Sequence, residues 1–331
     1  MSVPRKPTVL ITNDDGPLGD ESPFIEQFIG VLQRKLGWNI RVCIPTAQRS
    51  WIAKAFLVSE PVTLKEFAPS SDIIAEKGCW YMASGTPASC VNIALNHLFP
   101  EIDLVISGPN LGSNVANTCA MASGTLGAAM EAAIDGRRAV ALSFAFYNGD
   151  ISADKAENAC HVACSIISKL WTSDAWSQSH ASVFNINVPL ILEPDPPVMI
   201  TKMGQSRFGS LYHRLDNGAN GSMHPATGLH IKDHKVDEKS LTPSQKQLRV
   251  AVDDANPETG EDPGAQVDGS DGATYVFSAS VKVNSSLEEG TDAWAVHRRA
   301  VSITPLQPAL HSLGNADQAA LWAQLGFQPL P

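Results

Sequence analysis

Short apolar runs alternate with helix-patterned segments from residue 8 to about residue 190, and this alternation sets the strongest limit on the fold. The runs 8–12 (TVLIT), 39–44 (NIRVCI), 79–83 (CWYMA), 102–107 (IDLVIS), 138–144 (RAVALSF) and 183–188 (VFNINV) are mostly apolar rather than alternating. Strands buried on both faces read this way. Between them, Ser22-Pro23 opens a segment with Phe24, Phe28, Ile29, Leu32 and Leu36 at helical spacing. Ser84-Gly85-Thr86-Pro87 caps a helix to about His97, with Pro87 in the first turn, where its missing N–H is harmless. Gly124-Thr125 starts a helix through Ala133 that Gly136 ends, and 154–171 is a further helix. The pattern predicts an α/β chain with a mostly parallel sheet covered by helices on both faces.

After about residue 200 the character changes. Residues 201–231 mix Gly, His and Arg and read as loops and short strands. Residues 253–272 hold seven acidic residues with no Lys, Arg or aromatic, too polar to bury a core; a mobile insertion is expected over about 232–272. Order returns at 274–283 (TYVFSASVKV), which alternates like a strand, and 291–306 ends in a strand-like run from Ala300 to Thr304. The chain of 331 residues divides into a core at 1–200 and a C-terminal region at 201–331.

The formal net charge is −10, of which the acidic tract supplies −7. The balance argues against a binder of long nucleic acid or of anionic membranes, which need a basic footprint. No apolar run approaches the roughly 18 residues of a membrane span, and the start MSVPRKP carries no apolar signal segment. Six cysteines in such a chain read as free thiols in a reducing compartment. The expectation is a cytoplasmic protein.

Ligands of an open parallel sheet bind outside the carboxyl ends of its strands. There the sequence places Asn13-Asp14-Asp15-Gly16 after the first run, Gln48-Arg49-Ser50 after the second, and Gly108-Pro109-Asn110 with Gly112-Ser113-Asn114 after 102–107. Adjacent carboxylates on a turn can converge, and then repel unless a cation neutralises them. With Ser50 and Asn110 the donors are all oxygen, which suits Mg²⁺ or Mn²⁺ better than zinc. Asn-Asp-Asp-Gly alone is equally a turn and helix-capping sequence. Ser123-Gly124-Thr125 opens an Ala-rich helix, where backbone N–H groups favour phosphate; such a segment alone is also an ordinary cap.

Taken together, ITNDDG (11–16), QRS (48–50), SGTPASCVNIAL (84–95), DLVISGPNLGSNV (103–115), SGTLGAAMEAA (123–133) and VSITPL (301–306) resemble the SurE family of metal-dependent phosphatases and nucleotidases, in family order. PTAQRSWIAKAF (45–56) most resembles its eukaryotic branch. The resemblance implies a Rossmann-like three-layer fold with a C-terminal portion that walls the pocket and exchanges elements between subunits of a homodimer or higher oligomer. It implies a divalent cation, Mg²⁺ or Mn²⁺, held by Asp14, Asp15, Ser50 and Asn110, with Asp14 and Asp15 also catalytic. Asn114, Ser123, Gly124 and Thr125 would contact phosphate. The implied activity is hydrolysis of nucleoside monophosphates (5′/3′-nucleotidase) and other small phosphomonoesters, with acid phosphatase or short-chain polyphosphate activity in range. Two positions depart from the family pattern: Ser89 replaces its usual Asp, and Pro109 its usual Ile.

Rival readings are a weakly catalytic nucleotide-binding sensor, and a cysteine-dependent phosphatase using Cys43 and Arg49, which have the Cys-x₅-Arg-Ser spacing. Pro45 and the lack of glycine in that loop count against the latter. G-x-G-x-x-G, G-x-x-x-x-G-K-[ST] and G-x-S-x-G are absent. Cys160 and Cys164, one helical turn apart, read as packing; Arg207 is a weak candidate for contacting substrate and equally a surface loop charge, and His297, beside Arg298-Arg299, reads as part of a solvated turn.

Overall fold

A computed structural model describes residues 5–69, 73–147, 151–214, 277–279, 284–285 and 287–309. The predicted runs form strands β1 (Thr8–Thr12), β2 (Asn39–Pro45), β4 (Trp80–Ala83), β5 (Leu104–Leu111), β6 (Arg138–Ala145) and β7 (Val183–Pro189), with a short β3 (Leu64–Glu66) before β4. Helices α1 (Ile25–Leu36), α2 (Pro87–Ile93, continued by a π-helical turn Ala94–Leu98), α3 (Ala116–Ala122), α4 (Gly124–Ile134), α5 (Ala153–Thr172) and α6 (Ala175–Ser179) lie between them. Beyond β7 come β8 (Val198–Ile200), β9 (Ser206–Arg207), β10 (Tyr212–Arg214), β11 (Phe277–Ala279), β12 (Asn284–Ser285), α7 (Asp292–His297) and β13 (Val301–Leu306).

Nine strands form one sheet in the order β3-β4-β2-β1-β5-β6-β7-β13-β8. Strands β4 to β7 are parallel, whereas β3 and β13 run antiparallel to β4 and β7. The order β4-β2-β1-β5-β6-β7 is that of a doubly wound Rossmann sheet, whose direction of winding reverses between β1 and β5. A crevice opens at that reversal, beyond the carboxyl ends of both strands.

Alternate side chains feed two cores. Val9 and Ile11, Val42 and Ile44, Leu104 and Ile106 pack with Phe28 and Ile29 of α1 and Cys160, Ala163 and Ile167 of α5. Leu10, Cys43, Val105, Ala139 and Ala141 face Val91 of α2 and Leu126, Ala128, Ala129 and Ala132 of α4. The near-continuous apolar runs follow from this two-sided burial. Small residues on both β6 and α4 draw that helix close to the sheet.

The caps agree with the sequence at two helices. Thr86 accepts from Ser89 N–H ahead of Pro87 in the first turn of α2, and Ser123 accepts from Leu126 N–H at α4. Ser89 fits this cap, its Oγ lying 3.0 Å from Thr86 Oγ1. Helix α1 starts later than Ser22-Pro23, at Ile25, with no side-chain cap.

Three differences from the sequence reading bear on function. Strand β5 continues to Leu111, so Gly108-Pro109-Asn110 lies inside it, across a register shift between Ser107 and Asn110. Helices α3 and α7 were not anticipated, because ANTCAMA and DAWAVH are too short to display a helical period. β13 and β8 of the C-terminal half complete the main sheet. The acidic tract lies outside the described residues; of 274–283 only β11 is described, paired with β10. No helix among the described residues is long and apolar enough to cross a membrane.

Candidate active site

Asp14 and Asp15 leave β1 directly into the crevice. Asn13 folds the turn behind them: its Nδ2 donates to Gly16 O and Ser22 Oγ, and its Oδ1 accepts from Gly16 N–H. Gly16 has φ +90°, and a Cβ there would lie 2.8 Å from the Ala47 carbonyl carbon. Only glycine lets this turn pass so close under the 46–54 loop.

Both carboxylates are buried, 3% and 1% exposed. Asp14 Oδ1 accepts from Thr125 Oγ1 at 2.6 Å, and Asp15 Oδ2 accepts from Leu111 N–H at 3.0 Å. Asp15 Oδ1 is buried without any hydrogen-bond partner, as are Thr12 Oγ1 and Ser107 Oγ on the paired ends of β1 and β5. Burial pushes the Asp14 carboxyl up to about 6, against donation from Thr125 and from the Gly124 and Thr125 backbone N–H groups. Asp15 is pushed well up, by burial and then by the Asp14 charge beside it. An uncompensated pair of this kind favours a positive charge beside it.

The other two oxygen-bearing candidates lie on segments hydrogen-bonded to this turn. Arg49 N–H donates to Asp14 O at 2.7 Å, which brings the half-buried Ser50 alongside. Asn110 precedes Leu111, which holds Asp15; its Nδ2 donates to Gly112 O at 2.8 Å, a bond that leaves its side-chain oxygen free to accept. Among the described residues there is no group of three or more His, Cys, Asp or Glu that could hold a metal. A cation here would meet two carboxylates and neutral oxygens, the hard-donor set of Mg²⁺ or Mn²⁺.

The phosphate candidates are adjacent, and largely occupied with one another. Asn114 Nδ2 donates to Thr125 Oγ1 (3.2 Å) and Ser143 Oγ (2.9 Å), and the Thr125 hydroxyl donates in turn to Asp14 Oδ1. Ser123 Oγ serves as the α4 cap. Gly124 packs on Asp14, where a Cβ would lie 2.7 Å from Asp14 Cβ. The helix N-terminus that the sequence offered as a phosphate cradle therefore directs its first N–H groups at Asp14.

Sequence reasoning missed three residues. Asn187 Oδ1 accepts from Asn114 N–H and Asn185 Nδ2 donates to Asn114 O, each at 2.8 Å. Asn187 is held in turn by Ser302 of β13. Asp292, fully buried at the start of α7, accepts from Ala116 N–H (3.0 Å) and Gly204 N–H (2.9 Å) and fixes the segment after Asn114. Polar residues in a buried strand were the only signal for the asparagines.

Cys43 is fully buried in β2, beside Cys90 within the α2–α4 core, so the cysteine-phosphatase reading fails. Arg49 lies along the β4 side of the crevice, its Nη2 3.5 Å from Ser84 O. Cys160 and Cys164 are buried, with burial pushing both thiols up. His297 ends α7, and Arg207 lies exposed in β9.

A family profile described as survival protein SurE matches residues 9–210, most of the chain. The chain belongs to the SurE family. Its SurE segment is 32% identical over 207 residues to a 5′-nucleotidase SurE of Chlorobium phaeobacteroides, covering 62% of this chain and 73% of that one. It is also 33% identical over 242 residues to a Saccharomyces cerevisiae protein named probable tubulin–tyrosine ligase PBY1. That match covers 62% of this chain but only 32% of the yeast protein. A SurE protein from Aquifex aeolicus superposes with a TM-score of 0.61 at 21% identity, over 97% of this chain and 100% of that one, and shares the fold.

Proposed function

We propose that this SurE protein is a metal-dependent phosphomonoester hydrolase acting on nucleoside monophosphates (a 5′/3′-nucleotidase) and on other small phosphomonoesters. The observation that carries the reading is the buried Asp14–Asp15 pair with its unpartnered Asp15 Oδ1, set at the reversal point of the sheet. The 5′-nucleotidase relatives support the choice of substrate. Asp14, Asp15, Ser50 and Asn110 would hold one Mg²⁺ or Mn²⁺. When bound, such a cation supplies a Lewis acid for a phosphoryl oxygen and lowers the pKa of water toward neutrality.

The chain's own residues orient and insulate. Thr125 fixes the Asp14 carboxylate through its hydroxyl, and Leu111 N–H fixes Asp15. A phosphate entering between Asn114 and the start of α4 would meet the Asn114 amide, the Ser123 and Thr125 hydroxyls and the Gly124 N–H, once these turn from their internal partners. Donors aimed at the phosphoryl oxygens after that rearrangement would stabilise developing negative charge. Asp14 and Asp15 are the groups positioned to orient or deprotonate an attacking water. In the same reading, residues 1–200 together with β13 form the hydrolase core, and the rest of 201–331 the pocket wall and dimer contacts, with elements exchanged between subunits of a cytoplasmic homo-oligomer.

A phosphate-release screen over nucleoside monophosphates, sugar phosphates, an acid-phosphatase substrate and short polyphosphate tests the reading. Turnover of AMP with Mg²⁺ or Mn²⁺, lost in EDTA, is the expected result. Turnover that survives EDTA, or none on any monoester, would overturn it.

A further inference from the structure

Trp51 immediately follows Ser50 and has φ +66°, the left-handed region that favours glycine. Ala53 has φ +53°, and Ile52 N–H closes the turn on Arg49 O at 3.3 Å. Large side chains rarely occupy such a backbone, and where they do the strain tends to accompany function. Trp51 gains little burial in return, remaining 39% exposed. Its ring meets Phe208 at 5.4 Å between centroids and 51° between planes, contact distance for a tilted aromatic pair. No ring fits between them, so Phe208 buttresses Trp51 from one side.

Both aromatics are tied to the candidate site. Trp51 stands on the segment hydrogen-bonded to Asp14 through Arg49. Phe208 follows β9, where Ser206 N–H donates to Asn117 Oδ1 (2.8 Å) and Asn117 Nδ2 donates to Gln205 Oε1 (3.1 Å). Asn117 lies in α3, three residues beyond Asn114. The pair thus joins the segment that bears Ser50 to the β9 segment hydrogen-bonded to α3.

We propose that Trp51, backed by Phe208, is the stacking surface for the base of a nucleoside monophosphate, an inference that rests on the hydrolase reading above. A base sits one ribose from its phosphate, and a tryptophan next to Ser50, which the hydrolase reading assigns to the cation, would be within reach of it. Every base offers a π-face, so this contact selects for the presence of a base rather than its identity.

Trp51→Gly suits the backbone and removes the ring. It is expected to lower the ratio of kcat/KM for AMP to that for ribose 5-phosphate about five- to a hundredfold, chiefly through KM for AMP. Trp51→Phe is expected to retain most of the ratio, and Phe208→Ala to lower it less than Trp51→Gly does. An unchanged ratio in Trp51→Gly, or equal losses on both substrates, overturns the inference. Calorimetric titration with AMP separates the two claims. A wild type that binds AMP without turning over any monoester, with binding weakened in Trp51→Gly, sinks the hydrolase reading and upholds the stacking surface. AMP binding that is absent in wild type, or undiminished in Trp51→Gly, overturns the stacking surface.

Discussion

Asp15→Asn is expected to abolish phosphate release while making the metal-free protein more stable at pH 7. The two effects share one cause. In the metal-free protein Asp15 Oδ1 is buried without a partner and Asp14 sits beside it, so the pair resists ionisation. A carboxyl whose folded pKa lies above its unfolded value binds protons more tightly in the native state. The native state therefore loses stability as pH rises from the unfolded pKa through the folded one. For Asp14 that window runs from 3.8 to about 6. At about 1.4 kcal/mol per pH unit, the displacement costs the metal-free fold on the order of 3 kcal/mol above it. An amide at position 15 cannot ionise and keeps an oxygen for Leu111 N–H, so thermal melts of metal-free wild type and Asp15→Asn should diverge as pH rises above the ordinary carboxylate range, the variant higher. Activity should fall well over a hundredfold, since even residues that only support a metal ligand cost 10–100-fold when lost. A variant that melts below wild type at pH 7 and keeps its activity would refute both halves.

Gly127→Ala should be a damaging single-methyl change near the site. A Cβ at Gly127 would fall against the backbone of the 50–54 loop, 2.6 Å from the Ala53 carbonyl carbon and 2.9 Å from Lys54 N. The contact is backbone, so no side chain can swing aside. That loop is docked on α3 and α4 at two further points: Ala53 N–H donates to Ala122 O, and Lys54 Nζ lies 2.6 Å from Glu131 Oε2. The methyl must push the loop outward and Ser50 with it. Overpacking of this sort costs about 1–3 kcal/mol, and a displacement of about 1 Å at a site can cost about a hundredfold in rate. The expected result is a folded protein by circular dichroism, a lower melting temperature and a 10–100-fold loss of phosphate release. Full activity would mean that Ser50 is not held where the reaction needs it.

The parts of this architecture visible in the sequence are those encoded locally. Two-sided burial writes itself as unbroken apolar runs, so the strands of the parallel sheet could be read one by one. Pro87 and the caps at Thr86 and Ser123 mark helix starts through neighbouring residues. Asp14-Asp15 and Ser50 could be found because they follow strands that could be found. Asn110 was placed after its strand because Gly108-Pro109 resembles a stop, whereas β5 absorbs both across a shift in register. The supporting shell was illegible for a different reason. Asn187 meets Asn114 across 73 residues and Asp292 meets Ala116 across 176, and no local pattern announces such contacts. In a buried strand, Asn185 and Asn187 interrupt the apolar run without showing what they hold.

The central claim is that the acidic pair is a divalent-cation site. Titration of metal-free protein at pH 7 with Mn²⁺, followed by calorimetry, tests it most directly. The account predicts saturable binding of one ion per chain in wild type, with proton release from the partly protonated pair, and its loss in both Asp14→Asn and Asp15→Asn. Wild type that takes up no ion, or variants that bind as wild type does, would contradict it.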